Sequence, residues 1–142
     1  MYEFIEGEFV EKSPAHLIIK ANHLAYYIHI SVFTYSQVSN QSEGRIYLHF
    51  AVREDAQLLY GFSSREEREI FRQLISVSGV GSNTARLILS SLSPDEVTQA
   101  ILAGNVSVLQ GIKGIGAKSA QRIIVDLKDK VGKGAGIDEL FF

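Results

Sequence analysis

Residues 74–89 read LISVSGVGSNTARLIL, and residues 109–124, 35 positions further on, read LQGIKGIGAKSAQRII. Laid over each other, Gly79 meets Gly114, Gly81 meets Gly116, Ala85 meets Ala120 and Ile88 meets Ile123, while Val80 meets Ile115 and Leu89 meets Ile124. Each copy spells the end of one helix, a Gly-apolar-Gly turn, and a second helix with alanine at its first packed position. Glycine suits such a turn because the chain reverses within a few residues at angles that oppose a side chain, and because its backbone lets a partner come close. The apolar residue between the glycines should plug inward. The surrounding amides, with the N-terminus of the next helix, should then point outward as an anion site suited to a phosphate.

These windows resemble the helix-hairpin-helix motif of proteins that bind DNA without reading its sequence. Two copies on one face could hold phosphates on the two strands across a minor groove, so that shape is read and base edges are not. The expected phosphate-binding residues are Gly79, Gly81, Ser82 and Asn83 in the first hairpin and Gly114, Gly116, Ala117 and Lys118 in the second, with Arg86, Lys113 and Arg122 adding charge nearby. The bland alternative, two tight helix connections, is weakened by the duplication and the local basicity. The window Gly111-Ile112-Lys113-Gly114-Ile115-Gly116-Ala117-Lys118-Ser119 also approaches a nucleotide-binding phosphate loop. It misses by one inserted residue, because that pattern needs Lys directly after the final glycine and Ala117 stands there.

Outward from the repeat, other helix signals appear. Ser63-Ser64-Arg65-Glu66-Glu67 offers overlapping capping boxes for a helix running to about Ile75, and Ser93-Pro94-Asp95-Glu96 opens another with Pro at its first position. Asn105 can cap a short turn through Leu109, and a last helix is expected from Ala117 to Lys128. Before Ser63 the period is two. Five strands are expected, at about Tyr2–Val10, Leu17–Ala21, Leu24–Ser31, Arg45–Val52 and Gln57–Phe62, in a small antiparallel barrel or sandwich. Asn22-His23 reads as a tight hairpin turn, and Phe33 to Gly44 as one long loop. The expected domains are 1–63, 64–130 and a flexible tail over 131–142, where Gly132, Gly134 and Gly136 cluster.

Composition sets bounds on function. The 142 residues are 46% apolar, enough for a core, and 14 Lys and Arg against 16 Asp and Glu give a net charge of −2. Bulk charge therefore cannot grip nucleic acid, but the halves differ: residues 1–63 carry a net −3 and residues 64–134 a net +3. The absence of cysteine excludes disulfides and thiol chemistry. Glu3, Glu6, Glu8 and Glu11 do not read as a secretory signal, and no run approaches the roughly 18 apolar residues of a membrane span. A soluble, cytoplasmic protein is expected.

Between the last two strands, Glu54 and Asp55 form an acidic turn. Two adjacent carboxylates cannot alone enclose a divalent ion, and Asp126 and Asp129 read as a solvated helix face, so no metal, cofactor or catalytic group is expected. The histidines at 16, 23, 29 and 49 are assigned no chemistry.

The five-strand region, the string from Ala51 to Phe62 (AVREDAQLLYGF) and the two ordered hairpins together resemble the RuvA family, the Holliday-junction-binding subunits of the bacterial RuvAB branch migration complex. The resemblance covers residues 1 to about 130. It implies a five-stranded oligonucleotide-binding (OB) barrel followed by a helical domain with the two helix-hairpin-helix motifs. It also implies a flat homotetramer, with an octamer left open, that receives an open four-way junction. Glu54 and Asp55 match the family's acidic pin, which repels phosphates where strands exchange. Arg53 would either offset repulsion among pins or touch a phosphate. Partners implied are the RuvB ATPase and the RuvC resolvase. Family members often carry more lysines after the hairpin glycines, so binding here leans on backbone amides. They also continue into a third helical domain that contacts RuvB, whereas this chain stops at Phe142, so that contact is expected to be lost. The competing functions are a generic helix-hairpin-helix DNA-binding module, a metal-dependent nuclease using the acidic turn, and a barrel that docks proteins with the hairpins as mere scaffold.

Overall fold

The computed structural model describes residues 2–141, with side chains described through Val131. It divides into two compact units, Met1–Arg68 and Glu69–Phe142, each with its own core.

In the first unit, β1 (Phe4–Lys12), β2 (His16–Ala21), β3 (Leu24–Ile30), β4 (Glu43–Arg53) and β5 (Ala56–Phe62) close into a barrel in the order β1-β2-β3-β5-β4. Neighbours are antiparallel except β3 and β5, which run parallel through His29 opposite Tyr60 and Ile30 opposite Gly61. This is the OB-type topology. Alternation places Phe9, Leu17, Ile19, Ile28, Ile30, Ile46 and Leu48 inside, each large aliphatic side chain stabilising by about 1.5–3 kcal/mol relative to exposure. Gly61 leaves them room: a Cβ there would lie 2.5 Å from Ile28 Cγ2 and 2.6 Å from Ile46 Cγ2. Asn22 and His23 both take positive φ, 50° and 70°, as the tight hairpin turn requires. β1 runs two residues beyond its expected end, because an irregularity between Phe9 and Glu11 lets pairing with β2 resume.

The expected loop from Phe33 to Gly44 is corrected by a helix, α1 (Val32–Val38). Ser31, just after β3, caps α1, its hydroxyl accepting from Thr34 N at 3.1 Å. Thr34 and Val38, one turn apart, are buried, and Val38 joins the barrel core. That single buried stripe suffices, although Ser and Gln dominate the rest of the segment.

α2 (Arg65–Ile75) begins in the first unit, where two charged residues are buried. The Glu67 carboxylate accepts from the Ser31 and Thr34 hydroxyls, and Ser63 N donates to Thr34 Oγ1 at 3.1 Å. Burial pushes the Glu67 carboxyl above its ordinary range, against the opposing pull of those hydroxyls and of a backbone bond from Ser63. Arg68 donates to the Glu3 and Leu48 carbonyls at 2.8 and 3.3 Å and to the Glu3 carboxylate at 2.9 Å.

The second unit is helical: the end of α2, then α3 (Ser82–Ser91), α4 (Pro94–Ala103), α5 (Val106–Gln110) and α6 (Ala117–Phe141). α6 packs on α4 and α5, with Ile123, Ile124 and Leu127 buried beside Val97, Ile101 and Leu109. The expected capping box is present. Ser93 Oγ accepts from Glu96 N at 3.2 Å, and the Glu96 carboxylate accepts from Ser93 N at 3.0 Å, a bond that draws the Glu96 carboxyl below its ordinary range. Asn105 caps α5 by accepting from Val108 N. α6, expected to end at Lys128, continues through Gly132, Gly134 and Gly136 to Phe141, over the stretch expected as a flexible tail at 131–142, whose side chains beyond Val131 lie outside the described residues. No helix among the described residues is long and apolar enough to cross a membrane.

Candidate nucleic-acid interface

The sequence repeat is also a hydrogen-bond repeat. In the first turn Ser76 N donates to Arg72 O, Val77 N to Leu74 O, Val80 N to Val77 O and Ala85 N to Gly81 O. Moved by 35 residues, the same four bonds recur from Gly111 N, Ile112 N, Ile115 N and Ala120 N to Ser107, Leu109, Ile112 and Gly116, all between 3.0 and 3.2 Å in both copies. Val80 and Ile115 are buried as expected.

The four glycines split into two kinds. Gly79 and Gly114 have φ of +89° and +92°, the left-handed region that resists any side chain. Gly81, the α3 N-cap, has an ordinary φ of −87°, and Gly116, just before α6, lies outside the positive-φ set. A Cβ at any of the four would meet nothing within 4 Å. Neither backbone conformation nor internal packing therefore demands glycine at 81 or 116. The first turns of α3 and α6 open beside both with backbone N–H groups that the helices themselves cannot satisfy.

Around these turns Gly79, Gly81, Asn83, Gly114, Gly116, Ala117 and Lys118 are exposed, as are Lys113 and Arg122, while Ser82 and Arg86 are half-buried. Asn83 Oδ1 accepts from Arg86 Nη2 at 2.8 Å, so these two residues form one linked group. Arg122 Nη1 reaches the Ser78 carbonyl at 3.3 Å. A groove of about 440 Å³, bounded by Ser78 and Gly79 from the first turn and by Lys118, Arg122 and Asp126 from α6, joins the two copies. The near phosphate-loop window is preceded by α5 rather than by a strand, which removes the context a nucleotide site needs.

In the barrel unit, Arg53 pairs with Ala56 across β4 and β5, leaving Glu54 and Asp55 as the two exposed residues at the hairpin tip. Among the described residues no group of three or more His, Cys, Asp or Glu is placed to hold a metal ion. His16 lies between Ser13 and Glu11 and stacks on Tyr27 at 4.6 Å, a surface arrangement. Two features escaped sequence reasoning: the buried Glu67 and Arg68, which look like surface charge in Arg65-Glu66-Glu67-Arg68-Glu69, and the Arg122 to Ser78 link, which no local signal marks.

An OB-type barrel with an acidic two-residue hairpin, joined to a tandem helix-hairpin-helix module, is the class of protein these features define. Residues 1–61 match the family model for the RuvA N terminal domain, and residues 71–129 match that for the SAM-like helix-hairpin-helix tandem. A protein of Christiangramia forsetii named Holliday junction branch migration complex subunit RuvA is 52% identical over 141 residues, covering 99% of this chain and 73% of the relative. Proteins of the same name from Bacteroides fragilis and Flavobacterium psychrophilum are 53% and 44% identical, covering 95% and 99% of this chain and 67% and 72% of theirs. The chain belongs to the RuvA family.

Proposed function

We propose that this chain is a noncatalytic subunit that binds four-way DNA junctions by their phosphates and holds them open for branch migration. The observation that carries this reading is the pair of glycines, Gly81 and Gly116, that nothing inside the protein requires. Backbone amides at Gly79, Gly81, Ser82 and Asn83, and at Gly114, Gly116, Ala117 and Lys118, take phosphates of the two strands. The Lys118 ammonium adds charge, as does Arg86 beside the first turn. Because the contacts fall on the backbone, duplex shape is recognised and base sequence is not.

Four copies assembled around the junction would gather about eight carboxylates from Glu54 and Asp55 at the crossover, where they repel phosphates and keep the arms apart. The family supports a motor ATPase, RuvB, and a resolvase, RuvC, as partners of such an assembly, and a cytoplasmic site of action. No cofactor enters this reading.

The test compares a synthetic four-way junction with linear duplex of the same arm sequences in binding titrations across a salt series, with native mass measured in parallel. The expected result is strong junction preference, log affinity falling by about 0.9 per neutralised phosphate against log salt, and tetramers on the junction. Equal affinity for linear duplex overturns the proposal.

A further inference from the structure

We infer that Arg122 is a positioning residue that ties the two glycine turns into one rigid unit, and is not an independent phosphate contact. Its DNA consequences rest on the proposed function; its structural core does not. Arg122 lies on the second turn of α6, the helix that opens at the second hairpin, yet its Nη1 donates to the carbonyl of Ser78, in the first hairpin and 44 residues away in sequence. The bond therefore spans the repeat.

The repeat itself makes the link singular. At the same 35-residue offset, Leu87 stands where Arg122 does and Lys113 where Ser78 does. Leu87 has no donor to return the bond, so the second copy holds the first and not the reverse. Lys118 and Asp126 line the same groove with opposite charges, and the acceptor that Arg122 reaches there is the neutral Ser78 carbonyl. A guanidinium also holds its N–H groups in a fixed plane and extends further than a lysine ammonium, whose three donors rotate. Two amide clusters that must meet phosphates on two strands at once gain from a fixed spacing, since each then seats the other without further ordering.

The experiment uses Arg122→Lys and Arg122→Gln in the whole chain, with thermal melting to establish that both fold. Hydrogen exchange in the free protein reads the amides of Val77, Val80 and Ala85, which are hydrogen-bonded in the first turn; junction titrations across salt read binding. A positioning role predicts faster exchange at those amides in both variants, and junction affinity lowered about tenfold in both. It also predicts that Arg122→Lys is no better than Arg122→Gln, because charge alone does not restore the bond. Unchanged exchange overturns the inference. So does full affinity in Arg122→Lys together with a salt slope reduced by about 0.9 in Arg122→Gln, the signature of a phosphate contact. A wild-type chain that shows no junction preference refutes the proposed function instead, and leaves the exchange result to decide the role of Arg122.

Discussion

Val80 and Ile115 do the same job in two turns: each is 6% exposed, and each N–H donates at 3.0 Å to the carbonyl three residues earlier. The apolar side chain holds each turn from beneath while its glycines face out. Ile115→Ala should therefore destabilise the protein by about 2–4 kcal/mol, in line with truncation of a buried aliphatic residue. Denaturant unfolding checks this; a loss within experimental error would mean that the turn is held from elsewhere.

Serine is a better helix N-cap than alanine and meets no neighbour at either 81 or 116. Gly81→Ser and Gly116→Ser should keep stability within about 0.5 kcal/mol of the parent. The double variant should nevertheless lose junction affinity by about tenfold or more, because the new side chains occupy the space of a close phosphate. Gly79→Ser makes the contrast: its φ of +89° makes any side chain strained, at a cost of about 1–2 kcal/mol. Paired melting and titration separate the two kinds of glycine.

At the barrel hairpin tip, Glu54→Gln with Asp55→Asn removes two exposed charges without disturbing the Arg53 to Ala56 pairing. Junction binding should be retained or tightened as repulsion falls, and no strand cleavage should be seen before or after the change. A divalent-dependent cleavage activity abolished by this pair would establish a nuclease instead.

Glu67 predicts a pH dependence of stability. Its carboxyl is raised in the folded state by burial, so folding favours the protonated form. The stability it contributes is fully present below the unfolded carboxyl value and is lost as pH rises through the raised folded value. Glu67→Gln should flatten that decline, measured as unfolding free energy from about pH 4 to 8. Glu67→Ala, which leaves the buried Ser31 and Thr34 hydroxyls without their acceptor, should cost about 1–3 kcal/mol. A parent and Glu67→Gln with parallel pH profiles would contradict the assignment.

The hairpins were legible because a helix-hairpin-helix turn is local: two glycines, one plug and one alanine carry it, and duplication raises the signal. The Asn22-His23 turn and the Ser93 capping box were legible for the same reason, each resting on the chemistry of two to four adjacent residues. α1 was hidden because only Thr34 and Val38 are buried on it, too few for a period among Ser and Gln. The parallel pairing of β3 with β5 and the anchoring of Arg68 on the Glu3 and Leu48 carbonyls join residues far apart in sequence. Nothing local encodes them. Arg122 falls between these cases: its charge was visible, its partner was not.

The parallel seam between β3 and β5, with β1 laid against β4, closes the ring of five strands. That seam is only two pairs long, His29 with Tyr60 and Ile30 with Gly61, so main chain available for another strand is confined to Leu24–Ile28 of β3 and Ala56–Leu59 of β5 beside it. With the other four seams paired over longer runs, contacts between barrels fall mainly to side chains, which makes them sensitive to point substitution.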